Sequence, residues 1–209
     1  MKTKANQTTI LGLVTIILLT MNHARAGETW NTVETNSGIT IYERWVQVDA
    51  GLTVKERKGE MTLRGSMNSV INILCDPSKA KLYMENVSDA FLLTRISEKE
   101  WSSYTCFSLP WPLQNRDLVS SSMLKYCGPS SAIIEMTSRE NDLPFKKNIK
   151  RLKNYKASWK ITELGNGLVS VSFSAITYSP PEFPRFIQDP LLRKAFLRNL
   201  QKLKVIFSV

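Results

Sequence analysis

Two neighbouring segments alternate apolar and polar positions more cleanly than the rest of the chain. Tyr155, Ala157, Trp159 and Ile161 alternate with Lys156, Ser158, Lys160 and Thr162. After Gly165-Asn166-Gly167, the residues Val169, Val171, Phe173 and Ala175 alternate with Ser170, Ser172 and Ser174. A period of two with a glycine turn between the runs predicts a half-buried antiparallel hairpin, apolar and aromatic on one face. Further on, the period changes. At about 100° per residue, Leu192, Phe196, Leu200, Leu203 and Phe207 fall within about a quarter of a helical circumference. Arg193, Lys194, Arg198, Lys202 and Lys204 take the rest, so the pattern predicts a terminal helix with a narrow apolar stripe and a basic back turned to solvent. The proline-rich segment 178–184 leads into it.

Weaker patterns fill in the middle. The Asn36-Ser37-Gly38 turn opens a strand over residues 39–45. Residues 52–63 read as a long strand with one wet face, because Lys55-Glu-Arg-Lys58 is too densely charged for an interior strand. Residues 67–74 are helical by the spacing of Val70, Ile71 and Leu74, and Asp76-Pro77 starts a second short helix with proline in its first turn. Strands follow at 91–96, 101–109, 117–126 and 132–137, each bounded by turn residues. Pro110-Trp111-Pro112 predicts a rigid, extended connection. Strands, two short helices, a run of antiparallel strands and a long last helix indicate an α+β fold: one curved antiparallel sheet whose concave face is covered by the terminal helix.

The first residues carry a different signal. Lys2 and Lys4 precede an apolar run from Ile10 to Met21, and Ala24-Arg25-Ala26 supplies a small-x-small cleavage pattern. About a dozen apolar residues fall short of the roughly 20 needed to cross a bilayer, so residues 1–26 read as an export signal cut after Ala26. The expected mature chain, 27–209, has about 180 residues, the size of one domain with a substantial core. Its expected location is the periplasm or the medium.

Removing that leader changes the charge and the chemistry. The chain has 28 Lys and Arg against 18 Asp and Glu; Lys2, Lys4 and Arg25 leave with the leader, which holds no acid, so the mature balance is +7. The single histidine, His23, leaves too. Without histidine there is no Ser-His or Cys-His nucleophilic pair, no His-ligated metal and no imidazole base. Neither metal nor other cofactor is expected. Cys75, Cys106 and Cys127 match no metal or redox spacing and are odd in number, so they read as buried free thiols.

The segment Pro110-Trp-Pro-Leu-Gln-Asn-Arg-Asp-Leu-Val119 resembles the signature of the START (steroidogenic acute regulatory-related lipid transfer) family, in which Pro-Trp-Pro, a short spacer and Arg-Asp lie between two central strands. Ser37-Gly-Ile-Thr-Ile-Tyr42 resembles the family's first strand. Leu143-Pro144, the basic run to Arg151 and Trp159 resemble its proline, arginine and tryptophan pattern. The resemblance runs from about Ser37 to the C-terminus. It implies a helix-grip fold and, over 27–209, a START-like lipid-binding domain: a U-shaped sheet around the last helix, with a tunnel for a sterol, phospholipid or other apolar ligand. Two departures stand out. The family's long N-terminal helix has almost no counterpart, and the loop 179–184 is proline-rich where many relatives have glycines, which implies a stiffer lid.

Patterning alone favours a dense core, because apolar stripes usually pack together. The resemblance implies instead a mostly apolar cavity of roughly 300–1,000 Å³. Its expected sheet-side lining is Tyr155, Ala157, Trp159, Ile161, Val171 and Phe173, and its helix side Leu192, Phe196 and Leu200. Tyr104 and Trp111 complete the apolar set. Arg151 is the expected polar contact to a ligand headgroup, with Glu135 as its partner inside the protein; a plain surface arginine is the alternative. Arg116 and Asp117 point to opposite faces of a strand and read as structural, Asp117 accepting backbone donors near the Pro-Trp-Pro corner and Arg116 pairing with an acid.

The run Lys146, Lys147, Lys150, Arg151, Lys153 and Lys156, with the basic back of the helix, suggests docking on anionic membrane, against the plainer reading of a solvated face. Nucleic acid is not expected for an exported chain without a recognition motif, and a monomer is. For an enzyme of the same grip fold, Glu135, Arg151, Tyr104 and Tyr155 are the available acid-base groups, and their spacing suggests no couple. Binding is therefore the expected activity, with a cyclase- or hydrolase-like enzyme or an envelope interaction protein as alternatives.

Overall fold

The computed structural model describes residues 29–48, 51–109, 111 and 113–208. The leader assigned to 1–26 lies outside them, as do Pro110 and Pro112 of the expected rigid connection.

The strands are β1 (Asn31–Asn36), β2 (Ile39–Gln47), β3 (Thr53–Arg64), β4 (Val87–Arg95), β5 (Glu100–Phe107), β6 (Arg116–Tyr126), β7 (Ser131–Ser138), β8 (Lys150–Arg151), β9 (Tyr155–Gly165) and β10 (Leu168–Thr177). They form one sheet in the order β1-β2-β3-β10-β9-β7-β6-β5-β4, antiparallel throughout except that the two-residue β8 runs parallel to the start of β6. Helix α1 (Met67–Leu74), a 3₁₀ turn (Pro77–Lys79) and α2 (Ala80–Tyr83) connect β3 to β4, and α3 (Arg185–Ile206) ends the chain.

Local chemistry accounts for most of these elements. In the β9–β10 hairpin Gly165 pairs with Leu168, which leaves Asn166 and Gly167 as a two-residue turn at φ 53° and 68°. Left-handed dihedrals at both positions match the twist of paired strands, and Asn-Gly adopts them at little cost. Ser37 and Gly38 repeat the arrangement between Asn36 and Ile39, with φ 51° and 71°. In α1 the Ser66 side chain accepts from the Ser69 N–H while Ser69 Oγ accepts from Ser66 N–H, and Met67, Val70, Ile71 and Leu74 form its buried stripe. Asp76 caps the 3₁₀ turn in the same manner, accepting from the Ser78 N–H.

Helix α3 lies on the concave face of the sheet, where Leu200 and Leu203 are fully buried. It approaches most closely over Gly59 of β3: a Cβ there would collide with the Leu200 side chain. At this end the space is filled. Trp159 stacks on Phe173 at 4.1 Å between centroids and Phe173 on Phe196 at 5.2 Å, while Tyr83 meets Trp159 edge-on at 6.2 Å.

Several expectations change. β1 and β8 carry no apolar alternation and so leave no trace in the hydrophobic pattern; β1 is polar and largely exposed. β3 is an interior strand, hydrogen-bonded to β2 on one side and β10 on the other, in spite of its charges. The basic residues of α3 do not all face solvent: Arg193 reaches Glu43 of β2, Arg198 reaches Glu85, and the Lys204 ammonium donates to the Ser37 carbonyl. The three cysteines are unpaired, Cys106 buried and Cys75 half-buried, but Cys127 is exposed because it follows the end of β6.

Candidate functional site: a cavity beside the terminal helix

Toward the N-terminal half of α3 the packing opens into a cavity of about 270 Å³. The sheet contributes Tyr155 from β9 and Phe173 and Ala175 from β10, and α3 contributes Leu192, Ala195 and Phe196. Phe107 and Leu118 form the far wall, and the segment Ser179–Glu182 closes over the top. The aromatic stack therefore has one end in the cavity: Phe173 and Phe196 face it, while Trp159 lies behind them in the filled core.

Four of the expected lining residues, Tyr155, Phe173, Leu192 and Phe196, border this space. Ala157, Trp159, Ile161, Val171 and Leu200 share the same faces but belong to the filled core, where helix and sheet meet over Gly59. The remaining four are elsewhere, Tyr104, Glu135 and Arg151 for reasons of strand parity. Tyr104 is fully buried on the opposite face of the sheet, in a small second core with Cys106 and Val119. Glu135 follows the inward Ile134 and so points outward, where it pairs with Lys125 at 2.6 Å. Trp111 is 92% exposed at the turn after β5.

Arg151 is the clearest correction. It pairs not with Glu135 but with Asp117, through Nε–Oδ1 at 2.7 Å and Nη2–Oδ2 at 2.8 Å, and both side chains are 1% exposed. Its guanidinium also donates to the carbonyls of Glu140, Leu143 and Pro144. That bidentate bond to Asp117 raises the Arg151 pKa further. Cavity-facing residues on β6 are Arg116 and Leu118, so Asp117 between them faces away, and Arg151 with it. The pair clamps segment 139–149 onto the back of the sheet, on the opposite face from the cavity.

The polar wall of the cavity includes Lys55 and Arg57, expected on a wet face, and Arg116, expected to be structural. Lys55 and Arg57 share the strand face of Gly59, Met61 and Leu63 and point inward with them. Lys55 Nζ lies 2.5 Å from Asp189 and 3.2 Å from Glu43; Arg57 lies 3.1 Å from Glu43 and 3.3 Å from Asp189. Arg193 adds two bonds to Glu43, at 3.1 and 3.0 Å. Burial alone would raise the Glu43 carboxyl, but hydrogen bonds from Arg193 and Lys55 and the charge of Arg57 more than reverse this, so its pKa falls below the usual value. Across the cavity Arg116 meets Glu182 at 2.9 Å, and the same carboxylate oxygen takes Lys150 at 2.9 Å. The i, i+2 relation of Lys55 and Arg57 to Gly59, and of Arg116 to Leu118, was the signal available in the sequence.

Chemically the site is apolar in its body and ionic at its rim. Among the described residues each carboxylate lining the cavity is tied to a cation, Asp189 to Lys55, Glu182 to Arg116 and Glu85 to Arg198. Among the described residues no His, Cys, Asp and Glu side chains gather as a metal site.

No protein-family model and no curated protein matches this sequence. Solved structures do. The STAR-related lipid transfer protein of Xanthomonas axonopodis superposes with a TM-score of 0.76 at 22% identity, over 86% of this chain and 99% of that one. Human StAR-related lipid transfer protein 5 gives 0.74 at 18% identity, over 85% and 86%. Human STARD10 gives 0.66 at 19% identity, over 83% and 72%. With a large antiparallel sheet, a long C-terminal helix in its concave face and these structural neighbours, the chain has the helix-grip fold of a START-like domain.

Proposed function

We propose that this chain is an exported, monomeric carrier that binds one hydrophobic small molecule, lipid in class, in the cavity between β9–β10 and α3. One observation carries the reading: a fold shared with lipid transfer proteins retains, beside an otherwise filled core, a mostly apolar cavity of about 270 Å³. That volume is near the lower end of the roughly 300–1,000 Å³ usual for small-molecule sites. The basic, apolar, small-x-small order of residues 1–26 supports export. Access to an anionic membrane fits the rim, where Trp111 and Phe186 are 92% and 80% exposed beside the cavity residues Leu113 and Arg185.

Native purification followed by solvent extraction and mass spectrometry tests the proposal, with about one apolar molecule per chain expected. Ala175→Phe, which places a ring in the cavity, abolishes retention while the thermal transition stays cooperative. Equal retention by wild type and Ala175→Phe would remove the cavity from the function. Recovery of a chemically altered molecule after incubation would point to turnover instead.

A further inference from the structure

The charges around the cavity do not balance, and the imbalance specifies the end group of the ligand. Three cations, Lys55, Arg57 and Arg193, are met by Glu43 and Asp189, with the Glu34 carboxylate also acting on Arg193. Arg116 and Lys150 share one oxygen of Glu182. Arg185, also at the cavity, donates to the Thr53 carbonyl and stacks on the Trp45 ring at 4.7 Å. Glu85, the remaining acid in the lining, is held by Arg198. Every acid in the lining is thus engaged, and positive charge is left over where Arg116 and Lys150 share the one carboxylate.

One donor among these is unused. Arg116 Nε is buried and meets no acceptor in the protein, its Nη2 being taken by Glu182, and the Arg116 side chain lines the cavity. A buried N–H without an acceptor is costly, and a guanidinium gains most from an anionic oxygen. Arg57, by contrast, already uses both Nε and Nη2. Beyond Arg116 the wall turns apolar, through Leu118, Phe107 and Phe173.

We infer that the ligand is a single-chain amphiphile with an anionic head, a carboxylate or a phosphate ester, which accepts from Arg116 at the rim while its tail lies along Phe173 and Phe196. The inference rests on the carrier reading above and deepens it. A cationic or zwitterionic head would set a positive group against the surplus already there, and a neutral hydroxyl would leave that surplus unopposed.

Titration calorimetry on the purified, delipidated protein with decanoate, decanol and decyltrimethylammonium, all below their aggregation limits, tests it. Decanoate is expected to bind about 10- to 100-fold more tightly than decanol, the span of a charge-assisted hydrogen bond, and the ammonium to bind least. In Arg116→Gln the preference for decanoate over decanol collapses to within about threefold, and a cooperative thermal transition verifies that the variant is folded. Acetate alone does not bind, because the head needs the tail. Equal affinities for decanoate and decanol in the wild type, or a preference that survives Arg116→Gln, overturns the inference but leaves the carrier standing. If none of the three chains binds, the carrier reading fails with it.

Discussion

Replacing Asp117 by Asn removes one half of the most deeply buried ion pair in the described structure. Both side chains of the Asp117–Arg151 pair are 1% exposed, and two hydrogen bonds of 2.7 and 2.8 Å join them. Removing one member of such a pair costs about 3–5 kcal/mol, because the other charge stays behind without its counterion. Arg151 retains three carbonyl acceptors, on Glu140, Leu143 and Pro144, so Asp117→Asn belongs near the lower figure. Arg151→Leu strands the carboxylate and leaves those three carbonyls unmet, and belongs near the upper one. The double variant Asp117→Leu/Arg151→Leu leaves no charge behind and should recover about 2 kcal/mol or more relative to the sum of the single losses. With a urea slope of about 2 kcal/mol per M, a loss of 3 kcal/mol lowers the unfolding midpoint by about 1.5 M. Ligand retained per folded molecule should not change, since the pair faces away from the cavity. Additive single and double losses, or a midpoint shift below about 0.3 M for Asp117→Asn, would refute the claim that the pair works as a buried clamp.

Other consequences are equally direct. Gly59→Val forces α3 off the sheet at Leu200 and should cost at least about 1–3 kcal/mol, read as a lower thermal midpoint; an unchanged midpoint would mean the helix does not rest there. Phe196→Ala empties the junction of stack and cavity and should cost about 3–5 kcal/mol, with ligand loss measured separately by extraction. The Glu43 carboxyl has a lowered pKa in the fold, so its contribution is present above the unfolded value of about 4.3 and is lost as pH falls through the folded one. Glu43→Gln is therefore destabilised at pH 7, and its gap from the wild type closes below pH ~4; a pH-independent gap in urea midpoints would contradict this. Burial pushes the Cys75 thiol up to about 11, whereas Cys127 is exposed. A disulfide reagent at pH ~8 should label Cys127 rapidly and Cys75 only after unfolding; equal rates would show that Cys75 is not enclosed.

The amino-acid sequence by itself determined the elements whose information is local. The β9–β10 hairpin is written in its alternation and in the left-handed Asn166-Gly167 turn, α1 in its stripe and serine cap, and α3 in the spacing of Leu192, Phe196, Leu200 and Leu203. The motif of residues 110–119 carried the fold. Tertiary structure decided what those faces meet. Period-two patterning states that Phe173 and Val171 share a face, but not that Val171 is sealed while Phe173 borders space; that depends on where Leu200 of α3 fills the space over Gly59 and where Leu192, Ala195 and Phe196 line an opening. It also decided the charges. Lys55 and Arg57 look like surface residues in isolation, and Arg151 looks free, because a charge is recognisable as buried only when its partners, Asp189 and Glu43 or Asp117, are brought from 12 to 134 residues away.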